Sequence, residues 1–154
     1  MERLLSAEEI KSILEKYKTI AVVGLSTDPA KDSHRVAKYL KAKGYHIIPI
    51  NPSADVILGE KCYKSLLDVP ESIEVVDIFR PAKDVPPIID QAIELKKKLG
   101  NPRVIWMQLG IVNEEAAKRA RDASLTVVMD KCMMKEHKRL SRKALRTIKG
   151  KPLK

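Results

Sequence analysis

The residue types that hold anions, stack on rings or act as nucleophiles gather in a few short segments of this chain. The first is Gly24-Leu25-Ser26-Thr27-Asp28-Pro29-Ala30-Lys31-Asp32-Ser33, with Arg35 just beyond it. A glycine at the end of a strand lets a ligand come close to the backbone. The hydroxyls of Ser26, Thr27 and Ser33, together with the amides of a helix start, can hold a phosphate. Lys31 and Arg35 add positive charge. The same residues also make an ordinary strand-to-helix loop with a serine cap, so both readings stay open. On the first reading, a bulky side chain at Gly24 blocks the ligand and leaves the sheet intact. Phe79-Arg80-Pro81 combines a ring, a cation and a rigid turn. That suits stacking on a base or contact with a phosphate, and it also suits a plain strand end. Trp106-Met107-Gln108-Leu109-Gly110-Ile111 offers Gly110 for close approach and, in Gln108, a side chain that both donates and accepts hydrogen bonds.

Other chemistries find less support. A G-x-G-x-x-G dinucleotide fingerprint starting at Gly24 would need glycine at positions 26 and 29, which are Ser26 and Pro29. The second strand ends in Asn51-Pro52, without the acid that would take a ribose hydroxyl. A Walker A motif is absent. Cys62 and Cys132 lie seventy residues apart, neither in a C-x-x-C pair, and His34, His46 and His137 are scattered, so no metal ligand is assigned. Cys132 and His137 are near in sequence. They read either as a Cys–His nucleophile pair or as a packed cysteine beside a surface histidine, and no catalytic residue is assigned.

These segments need elements to position them. Ser6 and Glu9 have capping-box spacing, and Ile10, Ile13, Leu14 and Tyr17 follow at helical spacing, giving an amphipathic helix over 6–17. Thr19 to Gly24 is a short apolar run of the kind found in buried parallel strands. Asp32 or Ser33 caps a helix through Val36, Ala37 and Leu40 that Gly44 closes. His46 to Ile50 is a second strand, and 53–72 is irregular apart from a helical turn near Ser65–Asp68. Val75 to Phe79 is a third strand. Asp84 with Pro86 and Pro87 opens a helix whose inner face is Ile88, Ile89, Ala92, Ile93 and Leu99, ended by Gly100. Val104 to Met107 is a fourth strand, and Trp106 within it reads as core. Asn113 caps an alanine-rich helix, Leu125 to Met129 is a fifth strand, and a basic helix follows from about Lys135. Strands of this length alternating with helices predict a single α/β domain over 1–154. Its five-stranded sheet is parallel and doubly wound, of order 3-2-1-4-5, with helices on both faces. Ligands of such sheets sit outside the carboxyl ends of the strands, where every segment above falls.

Composition agrees. With 44% apolar and 32% charged residues, the chain is neither disordered nor membrane-like. No apolar run approaches the roughly 20 residues of a membrane span, and the first twenty residues hold no signal-peptide core, so a cytoplasmic protein is expected. The net charge of +10 is uneven: residues 135–154 carry +8 and the other 134 carry +2. Such a basic tail could meet a polyanion. Aromatics are only 4%, so stacking platforms for nucleic acid are scarce.

Ile20 to Ser26, Asn51-Pro52, Val76-Asp77-Ile78-Phe79-Arg80-Pro81, Trp106 to Ile111 and Asp130-Lys131-Cys132-Met133-Met134, in this order at strand ends, resemble the small stand-alone CoA-binding proteins. Those are similar to the N-terminal CoA-binding domain of the succinyl-CoA synthetase α subunit. The resemblance covers about residues 10–140 and implies a Rossmann-like fold with coenzyme A at the carboxyl edge. It implies that Gly24, Leu25, Ser26 and Thr27 meet the CoA phosphates. Asn51 and Pro52 would stand where the family passes the adenosine phosphate. Phe79, Arg80 and Pro81 would face the pantetheine and adenine side. Met107, Gln108, Gly110 and Ile111 would line the pantetheine arm near the thiol. Lys31 and Arg35 join this set on charge alone, and the loop lacks the second glycine of the synthetase pattern. The synthetase also uses a phosphohistidine in a second domain. This chain ends soon after its fifth strand, so ligase activity is expected to be absent.

The expectation is a non-catalytic protein that binds CoA or acyl-CoA, a monomer or homodimer whose N-terminal helix packs on its own sheet or on a second subunit. Two alternatives remain: a nucleic-acid-associated protein acting through the basic tail, and a Rossmann-type enzyme using another nucleotide, with Cys132. A variant reading joins Cys132 to the CoA thiol in a mixed disulfide.

Overall fold

The computed structural model describes residues 4–150, with side chains described for 4–142. The distal basic residues Lys143, Arg146, Lys149, Lys151 and Lys154 of the expected tail, as side chains, lie outside the described residues.

The capping box forms as expected: Ser6 Oγ accepts the Glu9 amide and Glu9 Oε1 accepts the Ser6 amide, opening α1 (Ala7–Lys16). The strand β1 (Thr19–Val23) follows, with Ala21 and Val23 in the hydrophobic cluster on one face and Ile20 and Val22 in the cluster on the other. Burial on both faces is why its sequence is apolar without alternation. Next come α2 (Asp32–Ala42) and β2 (His46–Ile50). The stretch expected to be irregular holds a small hairpin, β3 (Val56–Ile57) and β4 (Glu60–Lys61), around the two-residue turn Leu58-Gly59. A 3-10 turn at Leu66–Asp68 is capped by Ser65. Then follow β5 (Val75–Ile78), α3 (Val85–Leu99), β6 (Val104–Met107), α4 (Glu114–Asp122), β7 (Thr126–Val128) and α5 (Met133–Gly150).

The main sheet is wholly parallel, in the order β2-β1-β5-β6-β7. The α/β doubly wound class is the expected one, but the strand order is not. Counting only the five main strands, it runs 2-1-3-4-5 rather than 3-2-1-4-5, because the third strand pairs with the first and leaves the second at the edge. Pro49 is the physical reason. A proline has no N–H for a second ladder, so a strand that contains one belongs at an edge. Here the Pro49 carbonyl points outward and accepts the Tyr63 amide at 3.0 Å, and Tyr63 in turn accepts the Asn51 amide at 2.9 Å. The segment after β4 therefore covers the outer rim of β2. The switch point, where the chain leaves β1 for one side and returns on the other, falls between β1 and β5.

The helices divide between the faces. Ile10, Ile13 and Leu14 of α1, Val36, Ala37 and Leu40 of α2 and Met133 of α5 pack on one face, so the N-terminal helix covers its own sheet. The other face takes α3 and α4. On α3, Val85, Ile88, Ile89, Ala92 and Leu95 are buried, whereas Leu99, placed on the inner face from sequence, is 64% exposed where Gly100 ends the helix. Asn113 caps α4 by accepting the Ala116 amide. Among the described residues, no helix is long and apolar enough to cross a membrane.

Candidate ligand site

The carboxyl edge of the sheet holds a cavity of about 360 Å³ lined by Asp32, Arg35, Val36, Phe79, Arg80, Pro81, Gln108, Leu109, Ile111, Cys132, Met134 and Lys135. It draws on the loops or helix starts after β1, β5, β6 and β7, so the strand order brings them together. Six residues singled out from sequence line it: Arg35, Phe79, Arg80, Pro81, Gln108 and Ile111. The guanidiniums of Arg35 and Arg80 are each paired with a nearby carboxylate. Arg35 pairs with Asp32 in the first turn of α2, and Arg80 donates to Asp84 Oδ2 at 3.0 Å. Val36, Leu109, Ile111 and Met134 supply apolar wall.

The other nine sequence candidates stand elsewhere, and several have structural duties. Leu25 is fully buried beneath α2, and Met107 is fully buried in the cluster under α3 and α4. Asn51 spends its side-chain amide on three hydrogen bonds: Nδ2 donates to the Leu25 carbonyl at 2.9 Å, and Oδ1 accepts the Ser53 and Ala54 amides. It is a strut between two loops, with Pro52 exposed beside it. Ser26 Oγ accepts the Asp28 amide, and Ser33 Oγ accepts the Ser26 amide at 2.9 Å. The sequence placed Asp32 or Ser33 as the cap of α2. Instead Lys31 is the N-cap residue, without a side-chain bond, because the Ser33 hydroxyl serves the loop. Thr27 and Lys31 are exposed outside the cavity lining. Gly110 donates its amide to Asp130 Oδ1 at 2.7 Å, tying the β6 and β7 loops together.

At Gly24 the space left by the missing side chain belongs to the protein itself. A Cβ built there would stand 2.7 Å from the Phe79 carbonyl oxygen and 3.0 Å from Arg80 Cδ, at a φ of +87°. The space left open by the missing side chain is filled by the end of β5. Gly24 thus permits close approach of a neighbouring strand, and a bulky residue there would disturb the sheet.

The lining also includes residues outside the assigned contact set: Asp32, Val36, Leu109, Met134 and Lys135, with Cys132, which entered as a ligand contact only through the mixed-disulfide reading. Their positions after β6 and β7 and at the start of α2 were legible, since these segments were expected at the carboxyl edge. Their direction was not. Cys132 lies at the start of α5, whose first helical bond runs from the Glu136 amide to the Cys132 carbonyl. His137 does not accompany it. Its Nδ1 lies 2.7 Å from the Tyr39 hydroxyl, its ring packs edge-on to Tyr39 and Tyr45, and it faces a separate groove between α1 and α5. Burial, with Lys18 and Lys43 nearby, holds His137 below the usual histidine pKa. Trp106 is core, its Nε1 donating to the Lys131 carbonyl at 2.8 Å. Among the described residues, no three His, Cys, Asp or Glu side chains are grouped to hold a metal.

Comparison with known proteins places this geometry. The chain is 40% identical over 132 residues to the Bacillus subtilis protein YneT, covering 86% of this chain and 94% of that one. It is 38% identical over 79 residues to an ADP-forming acetate–CoA ligase of Archaeoglobus fulgidus, a match that spans 50% of this chain and 12% of the ligase. A solved structure described as a hypothetical protein from Pyrococcus horikoshii superimposes with a TM-score of 0.83 at 43% identity, covering 91% of this chain and 97% of the other. The family model of the CoA binding domain matches residues 18–138, from the start of β1 into α5 and across the whole cavity edge. This chain therefore belongs to the CoA binding domain family.

Proposed function

We propose that the chain is a non-catalytic protein that binds coenzyme A or an acyl-CoA in the cavity between β1, β5, β6 and β7. The observation that carries this reading is the division of the cavity wall. Arg35 and Arg80 stand near the switch point, and toward β7 the wall is mainly Leu109, Ile111 and Met134 with one buried amide, Gln108, and the exposed Lys135 beyond Cys132. Coenzyme A has the same division, with a pyrophosphate and a 3′-phosphate at one end and a flexible amide-bearing arm at the other. Three backbone amides at the start of α2, those of Asp32, Ser33 and His34, precede the first helical bond of Arg35 to Lys31. They add the partial positive charge of a helix N-terminus beside the two guanidiniums. A cavity of 360 Å³ is within the usual range for small-ligand sites, and the remaining bulk of the nucleotide would lie over the exposed Thr27–Lys31 loop. The non-catalytic part of the reading rests on the lining itself. Its one thiol is Cys132, and the lining contains no histidine to act as its base.

The test is native mass spectrometry of the protein in a mixture of CoA, NAD, NADP and ATP, followed by a CoA titration. A single CoA adduct with saturable binding below millimolar is the expected result. Preference for another nucleotide, or no saturable CoA binding in that range, overturns the proposal.

A further inference from the structure

We infer that Cys132 is a covalent attachment point for the ligand's own thiol: in this cavity it exchanges with the disulfide form of coenzyme A and is left as a mixed disulfide. The inference rests on the reading of the cavity as a CoA site.

Three observations lead to it. The first is layout. Along the sheet edge the cavity wall passes from Arg35 after β1 and Arg80 after β5 to Gln108 after β6 and Cys132 after β7. Neighbouring strands are about 4.8 Å apart, so β5 and β7 are separated by about 10 Å. A molecule with phosphates at one end and sulfur at the other, anchored by its phosphates on the two guanidiniums, runs its arm along β6 and ends at β7.

The second observation is Gln108, which is only 4% exposed. Its Oε1 accepts the amide of Met133, the residue after Cys132, at 3.1 Å. That bond fixes which way the carboxamide lies. Its two amide N–H groups are then left without a partner among the described residues, where Gln108 lines the cavity. Nε2 keeps contact with the open cavity rather than being sealed in protein, and the amide carbonyls of a pantetheine arm are acceptors of the right kind for it. Gln108 thus points to an amide-bearing chain next to Cys132, independently of the cysteine.

The third observation is the contrast between the two cysteines. Cys132 is 8% exposed and lines the cavity. Cys62 is equally buried but stands beyond β4, packed in the cluster under α2 and away from this cavity. Burial, with the Asp55 carboxylate nearby, pushes the Cys62 thiol above its usual pKa, which disfavours the thiolate that attacks disulfides.

The step balances without an external oxidant. Cys132 gives its thiol proton to solvent and its sulfur attacks one sulfur of CoA disulfide. The CoA–CoA S–S bond breaks as the Cys132–CoA S–S bond forms, and the second CoA leaves as a thiolate that takes up a proton. One disulfide is consumed and one is made. Reduction by a small thiol reverses the step, so the ligand is held firmly under oxidising conditions and reversibly under reducing ones.

The experiment uses the full chain, reduced and desalted, then incubated with CoA disulfide or, separately, with glutathione disulfide at equal concentration. Intact mass is read without reductant. The expected result is a gain of one CoA less two hydrogens, lost on adding dithiothreitol, in wild type and in Cys62→Ser but not in Cys132→Ser. Labelling by CoA disulfide should be about tenfold or more faster than by glutathione disulfide, because prior binding raises the local concentration. Peptide mapping of the wild-type adduct places the label even if a variant fails to fold. Reversible binding of CoA to wild type is measured in parallel, with reductant present. Binding with no adduct, with the label on Cys62, or with equal rates for both disulfides overturns the inference and leaves the CoA site standing. Absence of reversible binding overturns the CoA site itself, and the inference with it.

Discussion

Gly24→Ala is the sharpest test of how the site is built. The added methyl meets two costs. At φ +87° an L-residue is in the left-handed region, at about 1–2 kcal/mol. The methyl would also stand 2.7 Å from the Phe79 carbonyl oxygen, a backbone atom at the end of β5 that cannot swing aside as a flexible side chain would. Forcing such atoms apart costs about 1–3 kcal/mol. Against this, alanine reduces the freedom of the unfolded chain by about 0.4–1 kcal/mol, leaving a net loss of about 3 kcal/mol. Gly44→Ala is the internal control. Gly44 has φ +97° but nothing within 4 Å of its Cβ position. It meets only the first cost and should lose about 1 kcal/mol or less. Urea unfolding followed by the single tryptophan, buried Trp106 in β6, measures both. The two variants should share the wild-type m value and differ in midpoint. Equal losses at positions 24 and 44 would refute the claim that β5 is seated against Gly24. Because Arg80 Cδ is the next nearest atom at 3.0 Å, CoA affinity should fall in Gly24→Ala and not in Gly44→Ala.

Three further outcomes are expected. Asp77, in the central strand β5, is fully buried, and neither carboxylate oxygen has a hydrogen-bond partner among the described residues. Burial therefore raises its pKa well above the usual value of 3.8. With the folded pKa above the unfolded one, the carboxyl costs least below the unfolded pKa, and its penalty grows as pH rises from there toward the folded pKa. Asp77→Val should thus gain about 1–3 kcal/mol at neutral pH and flatten the decline of stability above pH 4. A destabilised Asp77→Val in urea unfolding would show a partner for the acid. Arg80→Ala should weaken CoA about 10- to 100-fold, from the loss of a charge-assisted hydrogen bond worth about 1.5–3 kcal/mol, and reduce the salt dependence of binding. Calorimetry at two ionic strengths that finds neither change would place the phosphates elsewhere. Asn51→Ala removes three hydrogen bonds and should lower stability by about 1–3 kcal/mol. Unchanged stability with lost CoA binding would return Asn51 to the role of ligand contact.

Much of the fold was legible because it depends on local chemistry. The Ser6–Glu9 box, the Asn113 cap, the prolines opening α3 and the apolar strands all act within a few residues of themselves. Strand order depends on which edges meet, and the one local clue, Pro49 inside β2, was present but unused. The hairpin at 56–61 announced itself only by Gly59. At the site, the sequence candidates that line the cavity are those whose character suits a cavity mouth whatever their neighbours: Arg35, Phe79, Arg80, Pro81, Gln108 and Ile111. The placement of those outside the lining depends on direction. Met107 ends β6 and Gln108 follows it, yet one serves the core and the other the cavity, because successive residues of an extended chain face opposite sides. Asn51 and Ser33 are polar loop residues whose hydrogen-bonding capacity is taken up by the loop, which no spacing rule reveals.

The covering of β2 by Tyr63 bears on how copies of this protein can meet. An open strand edge offers a template on which another chain can add. Along this margin, position 49 has no donor to offer, and the outward groups at 49 and 51 are already engaged by Tyr63. The opposite margin is β7, only three residues long, too brief to seed a long ladder. A continuous intermolecular sheet is thus disfavoured at both ends. The molecule can crowd at high concentration with little tendency to zip into fibrils through its β-structure.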